Sequence, residues 1–358
     1  MIIILSQECR PKQFKEVAGQ NLSKKLLKSI IKNKDKAPHS LVLYGPFGTG
    51  KTTQSRIFAK ALNCPSSKNQ EPCLKYDCPI CSQDLDNSSF YVEYDSSVVG
   101  NVSKIRELRD TFYYTTQNIY KVIVFDECHL ASSTAQSALL KVIEEAPKNV
   151  FFIFATTHID KLLPTIRSRS LEIRVETVSI KDIVNNLKNI CKIRNITIDD
   201  KTLELIASKS KGHMRNAHML LDNYLLLGEE DFKTSLVSSR DALLQYLISI
   251  IKHDKELLFK SISLIETFPI TNVYEDFQIL LRDITRRMVE PKDDIETKIY
   301  KSMSSKYLKF LKAFSSEYIK VSFQNEISAT TALMALYQQF TTQNTSNTSS
   351  NRRTVRTK

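Results

Sequence analysis

The stretch Gly45-Pro46-Phe47-Gly48-Thr49-Gly50-Lys51-Thr52 decides how the rest of this 358-residue chain is interpreted. Its spacing, G-x-x-x-x-G-K-T, is typical of a loop that wraps nucleotide phosphates. Glycine lets backbone amides approach an anion closely. We expect the whole loop, with Thr53 after it, to contact the nucleotide. In this interpretation Lys51 reaches the β- and γ-phosphates and the Thr52 hydroxyl holds Mg²⁺.

The flanking sequence favours a nucleotide loop over the alternative, a glycine-rich surface turn. An apolar strand-like segment, Leu41–Tyr44, precedes the loop, and a helical pattern, Thr53–Leu62, follows it. The N-terminus of that helix adds its dipole to an anion site. The eight-residue motif can occur by chance, but a strand before it and a helix after it are the structural context that a phosphate-binding loop needs.

Short apolar runs alternate with helical patterns from about residue 41 to residue 175. Several runs are almost continuous in Val, Ile, Phe and Leu, as expected of parallel strands that are covered on both faces. We therefore predict a doubly wound α/β domain with a parallel sheet. The predicted strands are Leu41–Tyr44, Phe90–Tyr94, Val122–Phe125, Val150–Ala155 and Leu171–Val175, with helices that include Ser103–Tyr113 and Ser133–Glu145.

The pattern after residue 175 is helical, and the predicted domains follow from this change. They are a nucleotide-binding domain (1–177) with an insertion at 64–81, a three-helix lid (178–235), a helical domain (236–340) and a disordered basic tail (341–358). The predicted lid helices are Ser179–Ile193, Asp199–Ser210 and Met214–Leu227. The next domain includes Asp241–Ile251, Asp276–Met288 and Lys306–Phe314.

Composition narrows the class of protein. The net charge is +12, which favours a polyanionic partner such as nucleic acid, although lysines that solvate helix faces would give the same count. The apolar start, Met1–Leu5, is too short for a secretory signal, and no apolar run approaches the ~18 residues of a membrane span. We therefore expect a soluble, cytoplasmic protein.

A second nucleotide-binding element follows the third predicted strand, where Asp126-Glu127 comes directly after Val122–Phe125. Asp126 is placed to support Mg²⁺, and Glu127 to act as the general base towards water. Acidic pairs at strand ends are common, so the interpretation depends on the phosphate loop upstream. Thr157, after the next strand, could orient the water or simply cap the strand.

Basic residues supply two further candidates. Arg167 and Arg169 either form salt bridges or provide an arginine finger for a neighbour's nucleotide. Arg215 lies in the first turn of a predicted helix, where a cation is poorly placed for the helix dipole. This position suggests that an external anion compensates its charge.

Four of the seven cysteines form the pattern C-x8-C-x4-C-x2-C within the insertion: Cys64, Cys73, Cys78 and Cys81. Such a set suits a closed, structural Zn²⁺ site that staples a segment with little core. The alternative is four reduced cysteines without a metal. We expect the other three cysteines to be ordinary packed residues.

In combination, these residues resemble the gamma/tau family of bacterial DNA polymerase III clamp-loader subunits, which are AAA+ ATPases. The resemblance spans roughly residues 5–228 and rests on the order and spacing of several short motifs. They are Arg10-Pro11-x-x-Phe14, Val17-x-Gly19-Gln20, the phosphate loop, Leu62-Asn63-Cys64, Asp126-Glu127-x-His129, Ala138-Leu139-Leu140-Lys141, Ala155-Thr156-Thr157, Ser168-Arg169 and Gly212-x-x-Arg215.

The resemblance implies roles for particular residues. Arg10, Pro11 and the segment Val17–Gly19 would line the adenine pocket. Thr157 would be sensor 1, and Arg215 sensor 2. Arg169 would be the finger that completes the site of the adjacent subunit in trans. For DNA, the resemblance points to the region of Asn101, Ser103, Lys104 and Arg106.

The resemblance also implies cofactors and partners. ATP, Mg²⁺ and Zn²⁺ would be bound, and the helical domain at 236–340 would form an oligomerising collar. The partners would be delta, delta-prime and further gamma copies in a ring, the sliding clamp, and primed DNA held through its phosphate backbone. The work of the ring would be to open the clamp and load it onto DNA.

Two departures from the family pattern affect this interpretation. Four residues separate Cys73 from Cys78, where the family usually has two, which predicts a looser loop around the metal. In addition, Ser170 replaces the cysteine that usually follows the finger arginine, Arg169. A delta-prime-like scaffold subunit is the main alternative, although it would not need Lys51 and Glu127. An AAA+ DNA motor such as a branch-migration helicase fits the cysteine insertion and the helical C-terminal region less well. A metabolic P-loop kinase is disfavoured because nothing in the sequence resembles a small-substrate lid.

Overall fold

The computed structural model describes residues 5–96, 119–287, 290, 295–303 and 333. The chain divides into two compact units, Met1–Gly228 and Glu229–Lys358. The predicted helices at 103–113 and 306–314, the DNA-contact candidates Asn101, Ser103, Lys104 and Arg106, and the tail at 341–358 lie outside the described residues.

The first unit contains a parallel sheet whose strands lie in the order β2-β3-β4-β1-β5. All five predicted strands are confirmed, and each boundary agrees within one residue. The near-continuous apolar runs made them recognisable, because strands covered on both faces carry apolar residues at successive positions. The strands are β1 (Ser40–Tyr44), β2 (Tyr91–Asp95), β3 (Lys121–Asp126), β4 (Val150–Thr156) and β5 (Leu171–Arg174).

Helices pack around the sheet in the first unit and form the described part of the second. No helix in the described ranges is both long and apolar enough to cross a membrane. In the first unit the helices are α1 (Leu5–Glu8), α2 (Asn21–Lys32), α3 (Lys51–Asn63), α4 (Ser133–Glu145), α5 (Pro164–Arg167), α6 (Ile180–Arg194), α7 (Asp200–Lys209) and α8 (Met214–Leu227). In the second they are α9 (Glu229–Ser235), α10 (Ser239–Lys252), α11 (Lys255–Ile265), α12 (Ile270–Arg286) and α13 (Ile295–Met303).

Alternate residues of β1, β3 and β4 enter two separate cores, which confirms the doubly wound architecture. In β1, Leu41 and Leu43 pack with α2 and α3, where Phe58 is fully buried. Val42 points to the other face and packs with Leu139 of α4. The central strands are therefore dry on both faces, and functional polar groups are left to the strand ends.

Three helices, α6, α7 and α8, follow the sheet and contact one another pairwise. Ser179 and Asp199 accept hydrogen bonds from backbone N–H groups at the starts of α6 and α7, which explains why these helices begin within a residue of the predicted positions. Their apolar faces close a small core that includes Leu187, Ile206 and Leu221. The predicted three-helix lid is thus formed by these helices.

The second unit is helical in its described part, with a core built by α10 to α13. Helix α12 begins at Ile270, six residues before the predicted start. The reason is that Val273 continues the buried stripe of Phe277 and Leu281 one turn further back. The hydroxyl of Tyr246 donates to the carbonyl oxygen of Leu333 at 2.7 Å, which ties a distant segment to α10.

Substituting Gly45 tests how tightly the phosphate loop is packed. A Cβ at Gly45 would overlap the carbonyl oxygen of Val175, whereas a Cβ at Gly50 would meet nothing within 4 Å. We expect Gly45→Ala to lower the free energy of unfolding by about 3 kcal/mol or more. The control Gly50→Ala should cost only the ~1–2 kcal/mol of a positive φ. Urea unfolding followed by circular dichroism measures both, and equal losses would contradict the packing argument.

Candidate nucleotide site

The phosphate loop joins β1 to α3 at the carboxyl edge of the sheet. Gly48 and Gly50 have φ angles of +68° and +101°, which side chains other than glycine rarely adopt. Gly50 is the N-cap of α3, so the first N–H groups of that helix open into the loop. The N–H of Gly45 donates to the carbonyl oxygen of Thr156 at 3.1 Å, which fixes the loop to the end of β4.

Lys51 lies inside the loop with 5% of its surface exposed. Its Nζ donates to the carbonyl oxygens of Gly45 at 2.8 Å and Pro46 at 3.0 Å. Burial lowers the pKa of Lys51, and the carboxylates of Glu127 and Asp126 act in the opposite direction. The ammonium group is thus placed where it can meet phosphate oxygens.

The predicted magnesium ligands lie together. The Thr52 hydroxyl donates to Oδ2 of Asp126 at 3.0 Å. Burial raises the pKa of Asp126, while the hydrogen bond from Thr52 lowers it. A hydroxyl and a carboxylate beside a phosphate loop form an all-oxygen donor set, and this set suits Mg²⁺. The residues present therefore fit the cation implied by the sequence.

Glu127 follows Asp126 in a left-handed backbone conformation, with φ of +46°. The Thr157 hydroxyl donates to Oε2 of Glu127 at 3.2 Å. The structure thus brings both residues together next to the loop, as the sequence predicted. Thr157 contacts the proposed base directly and does more than end a strand.

Arg215 lies on the lid side of the same cleft. Its guanidinium stacks over the ring of Phe47 at 4.5 Å, and its backbone N–H donates to the carbonyl oxygen of Gly48 at 3.3 Å. The ring of His213 bonds through Nδ1 to the carbonyl oxygen of Phe47 at 2.6 Å. These contacts hold the start of α8 against the phosphate loop, so Arg215 lies beside the loop, and its sensor role stays a prediction.

The cleft between loop and lid holds about 970 Å³ of space, open solvent included. It is lined by Arg10, Pro11 and Val17, as predicted for the adenine pocket. Ala18, from the predicted Val17–Gly19 segment, also lines it. Four further lining residues were not identified from the sequence: Val178, Asn186, Met214 and His218.

His218 is the most informative of the missed residues. Burial lowers its pKa to about 4, so the ring is neutral near pH 7, and its Nε2 lies 2.9 Å from Oδ1 of Asn186. The available signal was a polar residue between Ala217 and Leu221 on the buried face of α8. That pattern alone does not distinguish a cleft from a core.

Gln20 also has a contact that the motif did not reveal. Its side-chain amide donates to the carbonyl oxygens of Thr49 at 3.4 Å and Glu176 at 2.5 Å, and it accepts from the Glu176 N–H at 3.0 Å. One side chain therefore links the phosphate loop to the segment that leads into the lid.

Arg169 lies at the opposite edge of the sheet from this cleft. Its neighbour Ser170 bonds to Ser40 at the start of β1 at 2.6 Å, whereas the phosphate loop follows the end of β1. Four residue steps of strand separate the two levels by about 13 Å. Arg169 itself donates to Oε1 of Glu144 at 2.7 Å and is 43% exposed. It is thus placed to act outside its own subunit's site.

The four insertion cysteines converge, and their sulfur atoms all lie within 4.8 Å of one another. The Cys64–Cys78 and Cys73–Cys81 sulfur distances are 4.0 Å and 3.7 Å. Thiolates on one Zn²⁺ at ~2.3 Å lie about 3.8 Å apart in a tetrahedron, so the donor set fits zinc. The longer spacing after Cys73 does not prevent convergence, because Leu74 turns the chain with φ of +56°.

These features define the class of protein. The sheet is parallel, with its strands in the order β2-β3-β4-β1-β5. A phosphate loop follows β1, an Asp-Glu pair lies at the end of β3, and a helical lid follows the sheet. Together these features form an AAA+ P-loop nucleotide-binding fold.

The chain belongs to the DNA polymerase III gamma/tau family. It is 33% identical to DNA polymerase III subunit gamma of Buchnera aphidicola subsp. Baizongia pistaciae, over 73% of this chain and 72% of that protein. It is 37% identical to subunit gamma of B. aphidicola subsp. Schizaphis graminum over 64% of this chain, and 35% identical to subunit tau of Bacillus subtilis over 66%. The aligned part spans 62% and 41% of the lengths of these last two relatives.

Two other comparisons concern a family model and a solved structure. Residues 19–179 match a family described as DNA polymerase III, delta subunit. Among solved structures, the RuvB Holliday junction branch migration motor of Thermotoga maritima is 17% identical, with a TM-score of 0.46 over 93% of this chain and 90% of that chain. This structural similarity is too low to bear on function.

Proposed function

We propose that this chain is the ATP-hydrolysing subunit of a replicative clamp loader, which opens the sliding clamp and places it on primed DNA for DNA polymerase III. The names of the relatives in the gamma/tau family support the assignment to DNA polymerase III. The proposal of ATP hydrolysis rests on the side chains that meet around one cleft. They are Lys51, the hydrogen-bonded pair of Thr52 and Asp126, and the hydrogen-bonded pair of Glu127 and Thr157.

The side chains suggest a division of labour in hydrolysis. Glu127 takes a proton from water as the water oxygen bonds to the γ-phosphorus, and the bond between that phosphorus and the bridging oxygen to the β-phosphate breaks. Lys51 balances charge on the phosphates, and Arg215 contacts them from the lid. Mg²⁺, held by Thr52 and Asp126, would supply further charge neutralisation.

The position of Arg169 supports a ring in which each nucleotide site lies between two subunits. An arginine finger stabilises charge on the transferred phosphoryl group. Arg169 is exposed and lies at the sheet edge opposite its own cleft. In the proposed ring it completes the site of the adjacent chain. Further gamma copies, delta and delta-prime are the proposed neighbours in a cytoplasmic assembly, and the collar role is assigned to residues 236–340.

A delta-prime-like scaffold is the second candidate, and the match of residues 19–179 to a family described as delta subunit keeps it open. The arrangement of Lys51, Asp126 and Glu127 favours hydrolysis, since a scaffold would not need this set. ATPase activity of the chain with and without delta-type partners, clamp and primed DNA separates the two. Turnover stimulated by clamp and DNA supports the proposal. Absence of turnover in the complete assembly would favour the scaffold.

Removing the proposed base should separate binding from chemistry. We expect Glu127→Gln to bind ATP with unchanged affinity and to lose about 10²-fold or more in turnover, because the amide cannot accept the proton from water. Lys51→Ala should lose both binding and turnover. Equilibrium titration with a fluorescent ATP analogue and steady-state ATPase assays measure the two properties. Full DNA-stimulated activity of the Glu127 variant would refute the base assignment.

Arg169→Ala should bind ATP normally, yet the assembly that carries it in every copy should fail to turn over ATP or load clamps. The matched control is Arg167→Ala, since Arg167 is also exposed and pairs with Glu172 at 2.8 Å on the same short segment. Clamp loading onto primed DNA is the measurement. Equal activity of the two variants would contradict a finger in trans.

We also propose that the four insertion cysteines hold one structural Zn²⁺. Elemental analysis of purified protein should find about one zinc per chain, and chelation should lower the melting temperature because the site staples residues 64–81. Cys78→Ser should lose the metal. Cys191→Ser, which changes a buried cysteine outside the cluster, should retain it. A folded wild-type protein without zinc would contradict the proposal.

A further inference from the structure

His129 lies beside the proposed general base but has no role in the function described above. Its Nδ1 is 3.3 Å from Oε2 of Glu127 and 3.1 Å from the hydroxyl oxygen of Thr156. The side chain is 9% exposed. A nearly buried imidazole in contact with the carboxylate of the proposed base needs an explanation in terms of that carboxylate.

The contact determines which ring nitrogen carries the proton. Burial lowers the pKa of His129, with the neighbouring His158, Lys161 and Lys51 acting in the same direction and Glu127 opposing them, so the neutral ring predominates near pH 7. If Nδ1 were bare, its lone pair would face the carboxylate at 3.3 Å, which is repulsive. A proton on Nδ1 turns the same contact into a hydrogen bond.

We propose that His129 is a positioning residue for ATP hydrolysis, which donates from Nδ1 to Oε2 of Glu127 and leaves Oε1 to accept the proton of water. The proposal rests on the proposed function. It follows from the observation that the Thr157 hydroxyl donates to Oε2 of Glu127 and that Nδ1 of His129 lies 3.3 Å from the same oxygen. Two donors on one oxygen fix the rotation of the carboxylate.

The ring of His129 is itself held from the other side. In the Nδ1-protonated ring, the Thr156 hydroxyl oxygen is a second acceptor 3.1 Å from Nδ1, and this oxygen also accepts from the backbone N–H of His158 at 3.0 Å. The ring of His158 packs edge-on against His129, with centroids 4.9 Å apart. The end of β4 therefore supplies both Thr157, which contacts the base directly, and Thr156, which orients the residue that contacts it.

Three variants test this role in the assembled complex with clamp and primed DNA. His129→Phe keeps a flat ring but removes the donor, and we expect kcat to fall about tenfold or more while KM and ATP affinity stay unchanged. His129→Asn places an amide nitrogen close to the Nδ1 position, and we expect kcat within about threefold of wild type. The control is His253→Asn at an exposed left-handed helix cap in the second unit, where asparagine is tolerated.

A spectroscopic test does not depend on activity or on the stability of a variant. Two-bond ¹H–¹⁵N spectra of the wild-type imidazoles report the tautomer of each neutral ring, and the His129→Asn spectrum assigns the signal. We expect the Nδ1-protonated form for His129. The Nε2-protonated form would overturn the proposal even if His129→Phe failed to fold.

The outcomes separate the two proposals. Turnover by wild type together with equal kcat for His129→Phe would overturn the role of His129 and leave the proposed function intact. Equal losses in the Phe and Asn variants would show that the ring acts through packing and would also overturn the role. Absence of turnover in the wild-type assembly would overturn the proposed function and, with it, this role.

Discussion

The parallel pairing of β1, β4 and β3 is the constraint on which the site depends. Tyr44 is in register with Thr156, and Phe125 is in register with Phe154, so these strands end at nearly the same level. The phosphate loop, the acidic pair and the threonines therefore emerge side by side at one edge of the sheet. Because both faces of these three strands are covered by apolar packing, this edge is where polar chemistry can be placed without burying unpaired groups.

The same strand pairing also keeps Arg169 away from Lys51, although both are proposed to act on the phosphates of a bound nucleotide. Parallel strands have all their carboxyl ends on one side, so the segment that enters β5 must lie on the other. Arg169 is part of that entering segment, and Lys51 is part of the segment that leaves β1. A single copy of this fold cannot bring them together, which is a geometric reason to expect function in a ring.

The lid is coupled to the loop by short contacts across the cleft. Arg215 and His213 both bond to the loop backbone, and Gln20 links the loop to Glu176 ahead of the lid. A change in the loop on nucleotide binding would therefore reach the three lid helices through backbone hydrogen bonds. The cysteine cluster, elsewhere in the first unit, has a separate proposed role, which is to stabilise the insertion, whose Cys78 and Ile80 are buried in the core that includes α2 and α3.

The sequence by itself determined the five strands, the phosphate loop, the acidic pair and the family, because apolar runs and motif spacing are local properties of the chain. It also identified all four cysteines, although their uneven spacing gave no assurance that they meet. Only the tertiary structure decided which side chains face each other: His218 with Asn186, Gln20 with Glu176, and His129 with Glu127. These contacts join residues from different elements. They depend on strand register and helix packing, which periodicity along the chain does not specify.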